Sequence, residues 1–439
     1  MAYVRRPKRK LKWHVAIPLL CLIVVLVYMV FHVLFPKQDN GEGIKICTHD
    51  SSRTYSLLSK EYENIYEITD YFFYGENLTL LQNEYKLNQN DDLFGKTIQL
   101  RNLCNDKKIL FQLTNKIDQQ IDLGELENGF YEVYVVNNLQ EYRVTSTEEI
   151  NEIFHTVTRN NMSKKVELIS TNNYLNDVEL KHNYVYLNIS SDLIQRESYD
   201  ILIDPFGGSS DTGEVRWGYE ANGLRENEEM YKAALVLKEK LEEYGFVVGI
   251  TKERVDQKIN ISGENGRVHL GYNKNAKLYL NLQINASQYS NARGIEITHS
   301  AYSSSTLAYQ IIHDLEEKTN LIGSLNYPGD VQNGIVKTYR LAGLNGEKVY
   351  DPNSQIRETG GIATGAGTMN SSYQSLNSFA ANNKKGMQSL VMHLVYITNP
   401  VDYKIWTESY GDLMSSIADS VATYYQVEKE GKWNEVSNQ

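Results

Sequence analysis

Cysteine is scarce in this 439-residue chain, with only Cys21, Cys47 and Cys104, and neither a CxxC pair nor a Cys/His metal spacing occurs. That excludes a densely cross-linked scaffold and a cysteine-based metal cluster, and leaves Cys47 and Cys104 able to pair or to remain free thiols. No internal repeat is present, so a solenoid or propeller is excluded. Positive charge is also short outside the N-terminus. Residues 1–40 hold seven Lys/Arg and one acid, so an overall net charge of −11 leaves the remainder at −17. An acidic surface of that size argues against nucleic acid or an anionic lipid surface as the main ligand.

What is present begins with Arg5, Arg6, Lys8, Arg9, Lys10 and Lys12, followed by an apolar run from Val15 to Phe35 interrupted mainly by Pro18 and His32. As a helix that run is about 31 Å long, matching a hydrocarbon core of about 30 Å. A cytoplasmic basic tail (1–12) and a transmembrane helix (13–36) are expected, with the N-terminus inside and everything after Lys37 outside. A cleaved signal peptide fits less well, because "HVLFPKQ" offers no small-x-small site. The 41% hydrophobic and 23% charged composition of the whole chain is that of globular domains.

Residues 44–145 read as a β-rich, sandwich-like domain: "GKTIQLRN", "KKILFQLT" and "GFYEVYVVNN" are short strand-like runs between Asn, Asp, Gly and Lys clusters. Segment 146–198 reads as a connecting segment that either closes the first domain or bridges it to the second. In it "STEEINEIFHTVTRNN" is expected to be helical, with Ser146 and Glu149 as a capping box, ahead of the strands "KKVELIS" and "NYVYLNI". From residue 199 to 430 strands and amphipathic helices alternate: "YDILIDP", "RENEEMYKAALVLKEKLEEYGF", "VVGITKE", "AKLYLNLQIN", "GIEITHS", "SSTLAYQIIHDLEEKT", "SLVMHLVYI" and a last helix "YGDLMSSIADSVATYY". That order predicts an open α/β sheet flanked by helices. An irregular insertion occupies about 327–385.

The blocks "ILIDPFGGSSDTG", "GLRENEEMYKAALVLKEKLEEYGF", "GRVHLGYNKNAKLYLNLQINAS", "ARGIEI" and "LVYITNPVDYKIWTES", in this order, resemble the zinc-dependent N-acetylmuramoyl-L-alanine amidases of the bacterial cell wall. The resemblance implies two histidine ligands, a glutamate ligand, and a catalytic glutamate serving a zinc-bound water. Position by position it then fails at the chemistry. Asp204 and Pro205 match, but Phe206 replaces a glycine and Gly207 stands where the first histidine belongs. Glu226 is retained, Gln283 occupies the second histidine position beside Asn285 and Ala286, and His393 occupies that of the catalytic glutamate. None of His269, His299 and His313 has the spacing of a stand-in.

These substitutions admit two readings. In the first the site is degenerate, binds no cofactor, and the protein serves the cell envelope by binding peptidoglycan or an envelope protein partner, with Asp204, Phe206 and Asn285 lining a ligand groove. In the second, Glu226, Gln283 and His393 converge on a zinc ion and the chain is an active amidase. Blander readings stand beside both: Glu226 is favoured at a helix N-terminus by the macrodipole alone, and His393 is a packed neutral imidazole. A further alternative makes the 32 tyrosines and the β-rich domain the partner interface.

Overall fold

The computed structural model describes residues 46–47, 51–82, 96–113, 121–173, 179–194, 196–207, 215–260, 265–300, 303–329, 332–338 and 384–429. The expected basic tail and membrane helix, and most of the 327–385 insertion, lie outside the described residues. Among those described, no helix is long and apolar enough to cross a membrane.

The N-terminal half contains helix α1 (Ser51–Leu58) and strands β1 (Ile65–Ile68), β2 (Asp70–Tyr74), β3 (Asn77–Leu81), β4 (Thr97–Asn102), β5 (Lys108–Gln112), β6 (Ile121–Asp122), β7 (Gly129–Asn137), β8 (Gln140–Ser146), β9 (Asn151–His155), β10 (Met162–Ser170) and β11 (Val185–Leu193). The larger sheet runs β1-β8-β7-β11-β10-β9, with β4 also beside β7 and β5 beside β4; β2, β3 and β6 belong to a second, smaller sheet. Phe73, Leu78 and Leu80 of the small sheet share one core with Ile98, Val133, Val166 and Leu187 of the large one. This face-to-face burial is the expected sandwich.

Strand β7 is buried on both faces, which is why "GFYEVYVVN" runs apolar almost without alternation. Tyr131, Val133 and Val135 face the shared core, while Phe130 joins Ile46, Leu58, Ile169, Tyr184 and Tyr186 in a second cluster. The Cys47–Cys104 disulfide, with Cα atoms 5.5 Å apart, lies beside that second cluster. Several tyrosines are spent internally: the fully buried Arg143 guanidinium lies 4.5 Å from the Tyr186 ring centroid and 5.4–5.9 Å from those of Tyr134, Tyr184 and Tyr62.

The helix expected over "STEEINEIFHTVTRNN" does not form. Residues 151–155 are β9, paired antiparallel to β10, and Phe154 stacks on Phe73 with ring centroids 4.5 Å apart. The β-branched and aromatic residues Ile153, Phe154, Thr156 and Val157 suit a strand, and pairing with β10 overrides a capping-box match made by Ser146, which ends β8 instead. Segment 146–198 therefore completes the large sheet and is no mere connection.

The C-terminal half contains β12 (Ile201–Pro205), β13 (Glu220–Ala221), β14 (Leu224–Arg225), α2 (Glu226–Glu242), β15 (Val248–Ile250), α3 (Arg267–Asn273), β16 (Leu278–Asn285), β17 (Glu296–Ser300), α4 (Thr306–Lys318), β18 (Ile335–Thr338), β19 (Lys385–Gly386), β20 (Gln388–Tyr396) and α5 (Pro400–Tyr424). The sheet order is β15-β12-β16-β20-β17-β18, parallel except where β17 meets β20. Helices α2, α4 and α5 cover one face through Met230, Leu237, Ile311, Trp406 and Ile417, and α3 covers the other through Val268 and Tyr272. Every residue of β12 is buried, as a central parallel strand requires. Between β13 and β14 an Asn222-Gly223 turn, with φ of 53° and 81°, reverses the chain just before α2.

The halves meet along a polar joint. Short β19 pairs with β2 and so joins the small N-terminal sheet. The Arg159 guanidinium holds both oxygens of Glu76, at 3.1 and 2.6 Å, while its Nε donates to the Tyr425 carbonyl at 2.7 Å. Buried Asp200 pairs with Arg196 and accepts from the Thr158 and Val247 N–H groups.

Candidate functional site

Strand β12 ends in the sequence that carries the amidase resemblance, and its register with β16 sets the positions of the loop residues beyond it. Asp204 lies opposite Asn281 on β16, and the Phe206 N–H donates to the Leu282 carbonyl at 2.9 Å. Asp204 is fully buried. It accepts from Thr251 Oγ1 at 2.6 Å, Arg267 at 2.8 Å and Asn281 Nδ2 at 2.8 Å; Asn281 in turn accepts from Gln283 Nε2. A buried carboxylate so completely partnered ties β12 to β16, α3 and the end of β15. It does not line a groove, contrary to the sequence expectation.

Gly207 has φ of +97°, and a Cβ there would lie 2.8 Å from Asn227 Cβ, 3.0 Å from Lys252 Nζ and 3.1 Å from the Arg216 carbonyl oxygen. Only glycine suits that conformation and space. Lys252, 2% exposed, donates to the Phe206 carbonyl at 2.7 Å. Burial pushes its amine down to about 8, against the pull of Asp204 and with the push of Arg267. Sequence reasoning missed Lys252, because a lysine just after a strand reads as solvent-facing. The Phe206 ring packs on Gly218, where a Cβ would approach Cε1 to 2.6 Å.

Glu226 opens α2, and its two oxygens are already engaged. Oε1 accepts from the Ile284 N–H at 2.8 Å and Oε2 from the Tyr219 N–H at 3.0 Å, while the Glu226 N–H donates to the Tyr219 carbonyl at 2.9 Å. Burial raises its carboxyl above the ordinary range, and the two N–H groups hold it down in part. The carboxylate thus bridges α2, β16 and the segment 217–219.

Gln283 and His393 are direct partners across β16 and β20, and His393 also faces Glu296 on β17. Burial pushes the half-buried His393 imidazole below its usual range, opposed by Glu296. Glu296 is itself held by Asn285 Nδ2 at 2.8 Å, Ser324 Oγ at 2.9 Å and Tyr396 OH at 2.5 Å. Asn285 therefore braces β16 against β17, and the "GIEI" block supplies the acceptor. Beyond these groups, Trp217 (44% exposed) and Tyr219 (50%) stand at the surface, with Arg225 5.7 Å from the Trp217 ring centroid.

The fold thus brings Gly207, Glu226, Gln283 and His393 to one end of the sheet. Gly207 brings no ligand atom, Glu226 spends both oxygens on backbone N–H groups, and the Gln283 amide is bonded to Asn281. Among the described residues, the one cluster of three metal-capable side chains is His313, Asp314 and Glu317 on α4, which includes none of these positions.

The family described as N-acetylmuramoyl-L-alanine amidase matches residues 201–423. No curated protein matches the chain. Among solved structures, Cwp6 from Clostridium difficile is similar at 20% identity over 52% of this chain and 29% of its own, with a TM-score of 0.34. This chain therefore spans well under two thirds of Cwp6. The N-acetylmuramyl-L-alanine amidase Ami1 from Mycobacterium smegmatis is similar at 11% identity over 53% and 99% of the two chains, TM-score 0.36. The CwlD amidase from Clostridioides difficile, solved in complex with the GerS lipoprotein, is similar at 16% over 52% and 98%, TM-score 0.32.

Proposed function

The chain belongs to the N-acetylmuramoyl-L-alanine amidase family, and from that premise we propose that it is a membrane-anchored envelope protein whose amidase-like domain binds peptidoglycan without cleaving it. The observation that carries this reading is Glu226: the retained ligand residue has both oxygens taken by the Ile284 and Tyr219 N–H groups, while the loop before it presents Gly207. Zinc hydrolysis uses three protein ligands and a carboxylate base, and glycine at 207 and histidine at 393 support the reading without cleavage. Exposed Trp217 and Tyr219 support a glycan-facing role, since such rings offer flat apolar faces to sugars. The basic cluster and apolar run of residues 5–35 support the anchor, and the Cys47–Cys104 disulfide supports placement of both domains outside the cytoplasm.

The test uses the full chain in detergent, purified without chelator and equilibrated with zinc. Zinc content equal to that of a Glu226→Ala variant, retention on purified peptidoglycan and no release of stem peptides are expected. Stoichiometric zinc that is lost in the variant, together with zinc-dependent release of stem peptides, overturns the proposal. It would establish the rival reading, an active amidase with a rearranged site, which the juxtaposition of Gln283, His393 and Glu296 favours.

A further inference from the structure

Three segments from separate parts of the amidase half gather at the end of β20. The Asn222 amide donates to the Ile397 carbonyl at 2.8 Å, the Ser287 N–H to Thr398 Oγ1 at 2.9 Å, and the Asn326 amide to the Tyr396 hydroxyl at 2.9 Å. Each segment carries an aromatic side chain into solvent. Trp217 and Tyr219 come from the stretch leading into β13, Tyr289 (66% exposed) from the loop after β16, and Tyr327 (45%) from the stretch beside the start of β17. Among the described residues, the amidase half exposes only one large apolar side chain away from this end, Leu235 within α2.

The aromatics form a broad rim. Strands β12, β16, β20 and β17 are neighbours in the sheet, and three spacings between them carry the rim across about 14 Å, more than a single sugar ring. Arg225, 5.7 Å from the Trp217 ring centroid and bonded to Glu220, ties that side chain to its hairpin. Gln283 and His393, half-buried partners across β16 and β20, come just before two of the segments, so an amide and an imidazole share the strand ends with the aromatics. The core of a protein–protein interface is more uniformly apolar. Separated aromatic faces with amide and imidazole groups beside them match a sugar chain, whose rings offer apolar C–H faces and a rim of hydroxyl and acetamido groups.

We propose that this aromatic rim binds the sugar backbone of peptidoglycan over more than one sugar, and that the stem peptides are not what it recognises. The proposal rests on the reading that this domain binds peptidoglycan, and it names the part of the polymer that is held. Stem peptides carry carboxylates, whereas the cations Arg225 and Arg293 beside the rim are already paired with Glu220 and Asp402. The chain beyond residue 40 is also strongly acidic, which disfavours an anionic ligand.

The experiment is isothermal titration of the full chain in detergent with glycan freed of its stem peptides by amidase digestion. The disaccharide unit and a free stem pentapeptide serve as comparison probes, and retention on intact peptidoglycan is measured in parallel. Saturable binding of the peptide-free glycan is expected, with at least tenfold weaker binding of the disaccharide and none of the pentapeptide. Trp217→Ala and Tyr289→Ala should each weaken glycan binding about fivefold, and Leu235→Ala should leave it unchanged. All three side chains are exposed, so unchanged thermal midpoints check that the fold is kept. Retention on intact peptidoglycan without binding of the peptide-free glycan would overturn this inference and leave the broader reading standing. So would binding of the pentapeptide in its place, or glycan binding indifferent to Trp217 and Tyr289. Loss of both glycan binding and retention would overturn the two together.

Discussion

Glu226 invites reading as a ligand because of its residue type and its position at the head of a helix, yet its hydrogen bonds make it a latch. Replacing it with alanine strands the Ile284 and Tyr219 N–H groups inside the protein. Each such loss costs about 1–3 kcal/mol, so Glu226→Ala should destabilise by about 2–6 kcal/mol in denaturant titration. If the residue is a latch, the loss is the same with and without EDTA; a zinc ligand would show the penalty only when metal is present. Gly207→His, which installs the histidine that the resemblance implies there, should also destabilise, because φ of +97° and the 2.8 Å approach to Asn227 admit no side chain. The change should be readable as a lowered thermal midpoint with no gain of bound zinc. Sequence alone located Gly207, Gln283 and His393, since ordered motif blocks fix their places along the chain. It could not show that Asp204 is consumed by Arg267 and Thr251, because those partners come from elements 63 and 47 residues away.

Among the elements, α5 shows where local signals were present and underused. It begins at Pro400 rather than Tyr410, with Asn399 accepting from the Val401 and Asp402 N–H groups and proline at the first helical position. A non-helical Ser409, with φ of −144° and ψ of 19°, breaks the periodicity and makes one helix read as two pieces. Asn399→Ala should cost about 1 kcal/mol, measured as a shift in denaturation midpoint. The Asn399 amide also donates to the Ser290 carbonyl, so hydrogen exchange should quicken at the start of α5 and in residues 287–292 together. Strand β9 is the opposite case. A genuine capping-box pattern was overruled by pairing with β10, and no local window contains that partner. The strands that remained legible, β12, β16 and β20, are largely apolar runs whose burial is nearly complete.

For the whole molecule, the acids at the joint make stability depend on pH. Asp122 titrates near 3.8 when unfolded and at about 6 when folded, so the folded chain holds its proton longer as pH rises. The stabilisation from this group is complete below the unfolded value and lost as pH rises through about 6. Asp122→Asn cannot ionise. Its thermal midpoint relative to the parent should therefore climb between pH 4 and pH 7, and a flat difference would show that Asp122 is not the responsible group. That two differently built halves occupy the chain could be read from composition and pattern. The joint could not, because Arg159 with Tyr425 and Phe154 with Lys277 meet only after both halves have folded.

Strand β19 reaches further than its two residues suggest. Lys385 and Gly386 lie beside Phe73 and Tyr74, and Lys384 pairs with Asp70 across 314 residues of sequence. During synthesis, β2 emerges from the ribosome with one edge bare and stays so until most of the polypeptide has followed it. An exposed strand edge is a template for wrong pairing. The first half of the molecule thus has to wait for the second, and holding that edge open safely in the interval becomes part of the biogenesis of this chain.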